Sequence, residues 1–125
     1  IIWPRFSLAK DGIYAAAKIA EMACEKKLSE LVGELPAYYN SKCKIEAVGT
    51  AAKDRGLAAA RRHAETSGGK LTLIDGVRVD FEDGWAIVRA SGTENAMRVF
   101  AEGKTSKRSE ALMKEYAEVV AQPRA

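Results

Sequence analysis

Residue types that bind phosphate cluster between two predicted strands in the C-terminal half of the chain. They are Arg89, Ser91, Gly92 and Thr93, with Arg98 a few positions later. A guanidinium is a planar fork that matches two phosphate oxygens, and serine and threonine hydroxyls are short hydrogen-bond donors. Glycine lets the backbone approach an anion and aim N–H groups at it. These five residues are the candidate phosphate-binding residues.

The cluster is not specific by itself, because Ser-Gly-Thr is an ordinary turn composition and an arginine at a strand end is usually a solvated charge. Ser91 as a nucleophile would need a base. The single histidine, His63, lies in an unrelated predicted helix, where we interpret it as solvated. The acidic residues Asp80, Glu82 and Asp83 fall at a predicted hairpin and are interpreted as turn residues. The sequence therefore predicts no catalytic residue and no metal ligand in this chain.

Composition is that of an ordinary globular protein, with 47% hydrophobic and 30% charged residues among 125. Lysine and arginine number 20 against 17 acidic residues, a net charge of +3. This mild excess suits an anionic ligand, and without a block of basic residues it does not call for nucleic acid.

The chain carries no recognisable targeting signal. Its start, Ile1 to Pro4, lacks methionine and a basic region, so we expect a segment of a longer sequence rather than a signal peptide. No apolar run approaches the length of a membrane span. Cys24 and Cys43 lack metal-binding spacing and are interpreted as reduced thiols. We therefore expect a cytoplasmic protein that does not contact a membrane.

The first 39 residues predict a strand and two helices. The strand covers residues 1–3, the first helix runs from an Asp11 N-cap to about Lys27, and the second runs from a Ser29 N-cap to a stop at Pro36. The inward face of the first helix is predicted to hold Ile13, Ala17, Ala20 and Cys24. These elements cannot close a core alone, so a domain boundary is placed between residues 1–39 and 40–125.

Residues 40–125 predict the order β-α-β-β-β-β-α. A helix capped by Thr50 separates the first strand from a meander, and a helix capped by Thr105 or Ser106 ends the domain, with Pro123 beyond it. The first two strands after the Thr50 helix can be continuous. We therefore expect an α+β domain, with an antiparallel sheet of about four strands and two helices on one face.

Three motifs together resemble one family. They are Asp75-Gly76-Val77-Arg78-Val79, the run from Asp83-Gly84-Trp85 to Arg89-Ala90-Ser91-Gly92-Thr93-Glu94, and Arg98-Val99 with Glu102. This combination resembles the C-terminal domain of the α-D-phosphohexomutases, which include phosphomannomutase, phosphoglucomutase and phosphoglucosamine mutase. Asp11-Gly12, Leu28 to Leu31 and Leu35-Pro36 with Tyr39 look like the end of the family's third domain.

The resemblance implies a four-domain isomerase in which a phosphoserine exchanges its phosphoryl group with a hexose phosphate. An Asp-rich loop in the second domain holds Mg²⁺, and the fourth domain grips the phosphate that is not transferred. Arg89, Ser91, Gly92 and Thr93 would be phosphate ligands here, with Arg98 as a helper. The chain contains neither the serine loop nor the metal loop, so the remaining domains of the parent enzyme would be required for catalysis. Asn95 stands where the family usually has proline, which leaves the loop exit less rigid.

The alternative interpretation is a small basic α+β module that binds nucleic acid or protein through an open sheet face. Saturable phosphosugar binding that Arg89→Ala abolishes favours the first interpretation. Oligonucleotide binding with a steep salt dependence favours the second.

Overall fold

The structure is a computed structural model that describes residues 1–122, so the predicted position of Pro123 lies outside the described residues. The chain divides into two compact units, Ile1–Pro36 and Ala37–Ala125.

The first unit is a short hairpin followed by two helices. Its elements are β1 (Ile2–Trp3), β2 (Ser7–Lys10), α1 (Gly12–Glu25) and α2 (Leu28–Gly33), with β1 antiparallel to β2. The predicted Asp11 N-cap is confirmed, because the Tyr14 backbone N–H donates to Asp11 Oδ1 at 2.8 Å. The Ser29 cap is wrong, because α2 begins at Leu28 and Lys27 occupies the N-cap position, two residues before Ser29.

The predicted inward face of α1 is not buried within this unit. No residue of α1 or α2 is buried, Ile13 is 87% exposed and Cys24 is exposed. A two-stranded hairpin is too small to cover an amphipathic helix. The two helices of this unit are therefore amphipathic, but they bury no apolar core within it.

The second unit is a five-stranded antiparallel sheet with two helices. Its elements are β3 (Tyr39–Glu46), α3 (Gly49–Thr66), β4 (Lys70–Thr72), β5 (Val77–Phe81), β6 (Gly84–Ala90), β7 (Ala96–Gly103) and α4 (Ser106–Ala121). The strand order is β3-β7-β6-β5-β4. The α+β class is confirmed, whereas the count of about four strands is one too low. β4 and β5 are separate because Gly76, at φ +87°, turns the chain between them.

The core lies between the sheet and the two helices, which also pack against each other. Its largest fully buried side chains include Tyr116, Leu112 and Met97. Gly56 of α3 permits close approach, because a Cβ there would lie 2.3 Å from Met97 Sδ. α3 is therefore seated against β7 at the end of the sheet where the β6–β7 loop begins.

Two helix starts test the sequence interpretation. The predicted Thr105 cap is confirmed, since the Arg108 N–H donates to Thr105 Oγ1 at 3.1 Å. The Thr50 cap is wrong: α3 begins at Gly49, whose φ of +77° favours glycine, and Val48 precedes it without a side-chain cap.

His63 was predicted to be solvated, and that prediction is wrong. Its Nε2 lies 2.6 Å from Glu115 Oε1, and its ring meets Tyr116 edge-on. His63 therefore links α3 to α4 and has no part in the β6–β7 loop.

The sheet face opposite the helices carries alternate residues of the strands. Trp85 is half-buried there, and its Nε1–H donates to Glu102 Oε1 at 3.1 Å. The Arg78 guanidinium lies 4.3 Å from the Trp85 ring centroid and binds both oxygens of Asp80. This open face is thus ordered by its own polar contacts.

Candidate phosphate-binding site

The candidate site is the loop of residues 91–95, which joins β6 to β7. The Ser91 N–H donates to the Ala96 carbonyl at 2.9 Å and closes the base of the loop. The Ala47 N–H donates to the Asn95 carbonyl at 2.9 Å and ties the loop exit to the chain after β3. A proline at position 95 would also provide this carbonyl. Asn95 therefore keeps a restraint on the loop exit that does not depend on its side chain.

A compact turn fills the loop. The Glu94 N–H donates to Ser91 Oγ at 3.2 Å. Lys53, in the second turn of α3, donates from Nζ to the Ser91 carbonyl at 2.7 Å and to the Glu94 carbonyl at 2.8 Å. Residues 92–95 remain exposed. Lys53 therefore holds the loop from the α3 side, while residues 92–95 stay accessible to solvent.

Three cations lie side by side on neighbouring strands, at the end of the sheet next to the loop. Arg89 of β6 is directly opposite Arg98 of β7, which is directly opposite Lys44 of β3. Their strand neighbours Val88 and Val99 are fully buried under the helices, so the cations project from the open face. Like charges in such positions repel, and the row therefore needs counter-charges.

Two carboxylates supply them. Arg89 Nη2 lies 2.6 Å from Asp75 Oδ2. Glu94 Oε2 lies 3.1 Å from both Arg98 Nη2 and Lys44 Nζ. These hydrogen bonds, from Arg98 first and then Lys44, lower the pKa of Glu94 from its ordinary value because they stabilise the ionised carboxylate.

The net charge of the site stays positive. The three cations of the row and Lys53 stand against Asp75 and Glu94, which leaves two positive charges. Both arginines are accessible, with Arg89 49% and Arg98 47% exposed at the side chain. An incoming dianion would therefore meet a positive surface with internal counter-ions that it can replace.

The five sequence-predicted residues all lie at this end of the sheet. Arg89 and Arg98 are cross-strand neighbours, and Ser91, Gly92 and Thr93 form the loop between their strands. The Ser91 hydroxyl accepts from Glu94, which leaves its own proton available. Within residues 1–122, the backbone N–H groups of Gly92, Thr93 and Asn95 donate no hydrogen bond to the protein. The role of the five sequence-predicted residues as phosphate ligands stays a prediction.

Sequence reasoning did not assign roles to Lys44, Lys53, Asp75 or Glu94. Lys44 occupies a polar position of the alternating β3 pattern, which places it on the open face but gives no partner. Lys53 gave no signal at all, because its partners are 38 and 41 positions away. Only the sheet register and the seating of α3 bring these residues together.

Residues 92–95 of the loop are exposed and lie outside two cavities of this unit. One cavity of about 490 Å³ lies between α3 and α4, beside His63 and Glu115. A second of about 230 Å³ lies around the hairpin that joins β5 to β6. Neither includes a residue of the 91–95 loop. An anion bound by this unit alone would therefore be contacted from one side.

Metal binding finds no support in the part of the chain that the structure describes. There, no three His, Cys, Asp or Glu side chains converge as they would around a metal ion. Over the same residues, no helix is long and apolar enough to cross a membrane.

A family match over most of the second unit gives the class of protein. The family described as phosphoglucomutase/phosphomannomutase, C-terminal domain, matches residues 40–119, which include all of the five-stranded sheet except Tyr39 and most of α4. The chain therefore belongs to the phosphoglucomutase/phosphomannomutase family.

Individual relatives agree with this assignment. The chain is 42% identical over 123 residues to a phosphoglucomutase/phosphomannomutase of Thermococcus kodakarensis, covering 95% of this chain and 25% of the relative. It is 43% identical over 103 residues to a probable phosphoglucosamine mutase of Methanosarcina acetivorans, covering 82% and 23%. The chain thus spans about a quarter of the length of these relatives.

A solved structure shares the fold. The crystal structure of a phosphoglucomutase/phosphomannomutase family protein from Burkholderia thailandensis matches with a TM-score of 0.70 at 22% identity, over 92% of this chain and 25% of that one.

Proposed function

We propose that this chain is the C-terminal part of a phosphohexomutase and that its 91–95 loop binds the phosphate group of a hexose phosphate that is not transferred. The observation that carries the proposal is a row of cations, Lys44, Arg98 and Arg89, next to the loop. Three backbone N–H groups of this loop donate no hydrogen bond within the described residues. Cations directly opposite each other on neighbouring strands repel, and an anion bound beside the row would reduce that repulsion.

Each group has a definite task in this proposal. The Arg89 guanidinium matches two phosphate oxygens, and Arg98 adds a second cation. Hydroxyls of Ser91 and Thr93, together with the free N–H groups, donate to the remaining oxygens. Binding exchanges the carboxylates of Asp75 and Glu94 for the phosphate at the same cations.

The affinity of this unit alone is expected to be low. A charge-assisted hydrogen bond contributes about 1.5–3 kcal/mol net, and association costs several kcal/mol in lost freedom. Contact from one side in water then gives a dissociation constant on the order of millimolar. Closure by other domains would exclude water and strengthen the same contacts.

The parent protein is proposed to be a cytoplasmic isomerase whose phosphoryl transfer takes place on its other domains. Mg²⁺ would be held there and not by this chain. The exposed apolar side chains of the first unit, such as Ile13 and Leu35, support its assignment as a remnant of the third domain that packs against the rest of that domain.

A titration of the chain with glucose 6-phosphate, followed by NMR, tests the proposal. We expect saturable millimolar binding, none with glucose, and loss of binding in Arg89→Ala. Arg61→Ala, which removes an arginine paired with Glu65 on α3, is the matched control and retains binding. Equal weakening by both variants, or binding of an oligonucleotide with a steep salt dependence instead, would favour the nucleic-acid alternative.

A further inference from the structure

The lysine beneath the loop contacts no side chain of the cation row. Lys53 Nζ donates to two main-chain carbonyls, those of Ser91 and Glu94. The two carbonyls stand three residues apart, at the two ends of the turn. One ammonium therefore holds together the two ends of the turn that the phosphate would have to meet.

Because peptide groups are planar, this contact also fixes the direction of the backbone N–H groups that follow the two carbonyls. Peptide bonds of the loop are trans and planar, so each carbonyl points opposite to the N–H of the following residue. With the Ser91 and Glu94 carbonyls directed at Lys53, the N–H groups of Gly92 and Asn95 point away from it. Both residues are exposed, so these N–H groups face the surface where an anion would arrive.

Packing of α3 fixes the position of Lys53. Gly56, one turn further along the helix, sits against the buried Met97 with no room for a Cβ. Met97 is the second residue of β7 and lies next to Arg98. This packing fixes the position of α3 relative to β7 and the loop. The half-buried Lys53 side chain then reaches from α3 to the Ser91 and Glu94 carbonyls.

We infer that Lys53 is a positioning residue for phosphate binding: its ammonium holds the 91–95 loop so that backbone N–H groups are presented to the anion. The inference rests on the proposed function and deepens it. It assigns the orientation of the donors to α3, a helix that carries none of the proposed phosphate ligands.

Affinity measurements separate this role from simple charge. We expect Lys53→Met to weaken glucose 6-phosphate binding about tenfold, Lys53→Arg to restore it to within about threefold, and Lys114→Met, an exposed α4 lysine with the same charge loss, to bind as wild type. A pure charge effect is screened at high salt, so the difference between Lys53→Met and Lys114→Met must persist in 0.5 M NaCl. Equal affinities of these two variants would overturn the inference.

A measurement on the unaltered chain covers the case in which Lys53→Met does not fold. Two carbonyl bonds should slow exchange of the Lys53 ammonium protons with water relative to those of Lys114, as seen by NMR of the side-chain NH₃⁺ groups. Equal exchange rates for the two lysines would show that Lys53 does not hold the loop carbonyls, and would overturn the inference. The two proposals fail differently: without wild-type binding the proposed function falls, whereas binding that requires Arg89 but not Lys53 removes this inference alone.

Discussion

Asp75 and Glu94 are the counter-ions of the cation row at the candidate site. Each carboxylate is paired with a cation of the row, and under the proposed function it would give up that cation to a phosphate oxygen. The pair Arg89–Asp75 is about half exposed, so its strength is limited by solvent. Under the proposed function, such a counter-ion would compete with the phosphate for Arg89.

Removal of one competitor should therefore strengthen binding. Asp75→Asn keeps the shape of the turn residue and deletes its charge, and we expect glucose 6-phosphate to bind about two- to fivefold more tightly, in line with an exposed pair of up to about 1 kcal/mol. Titration at pH 7 measures the change. Glu65→Gln, which removes the partner of Arg61 on α3, is the control. Weaker binding by Asp75→Asn would show that Asp75 orients Arg89 instead of competing for it.

Residue types identified the candidate ligands from sequence, but not the residues that hold them. Arg89, Ser91 and Thr93 stand close together in the chain, so composition and motif were enough. Lys53 and Glu94 act through the loop backbone and through cross-strand register, which depend on tertiary placement. His63 was misjudged for the same reason, since its partner Glu115 is 52 positions away.

At the scale of elements, the sheet was predictable where alternation and turns were regular. The Glu82-Asp83 hairpin and the β6–β7 pair follow from β-rich runs broken by turn residues. The strand β4 also follows from the sequence, which left open only whether it continues into β5; Gly76, at φ +87°, separates the two strands. The caps at Ser29 and Thr50 were misplaced, since backbone geometry at Lys27 and Gly49 decided where those helices start.

The open face of β5 contains a pair whose effect on stability depends on pH. Hydrogen bonds from Arg78 lower the pKa of Asp80 from its ordinary value of 3.8. A carboxyl with a lowered pKa stabilises the fold above its unfolded-state pKa, and this contribution is lost as the pH falls through the folded-state value. Asp80→Asn should therefore unfold more easily than wild type at pH 7, with the difference closing below about pH 3.8.

Urea unfolding at several pH values between 7 and 2.5 measures this convergence. The exposed hairpin carboxyl Glu82 offers the control Glu82→Gln, whose stability should run parallel to wild type. A gap for Asp80→Asn that widens on acidification would contradict the assigned sign.

At the scale of the whole molecule, the two units differ in what holds them together. Residues 37–122 bury a core of apolar side chains from the sheet and both helices. Unit Ile1–Pro36 has no buried residue in either helix. Amphipathic periodicity predicted both helices of that unit correctly, yet it cannot state whether the surface they need is present in the same chain.

We expect the two units to behave differently when separated. A chain of residues 37–125 should unfold in one cooperative transition, because it retains its core. A peptide of residues 1–36 should show only partial helix and no cooperative transition, since short helices without packing are marginal in water. Circular dichroism with thermal denaturation distinguishes these outcomes. Cooperative unfolding of the peptide would contradict this expectation.

The most direct test of the central claim is to map which backbone amides respond when the ¹⁵N-labelled chain is titrated with inorganic phosphate at constant ionic strength. We predict saturable shifts at Gly92, Thr93 and Asn95 that are absent in Arg89→Ala. Shifts confined to other surfaces, such as the helix pair around His63, or no saturable shift at the 91–95 loop, would contradict the account.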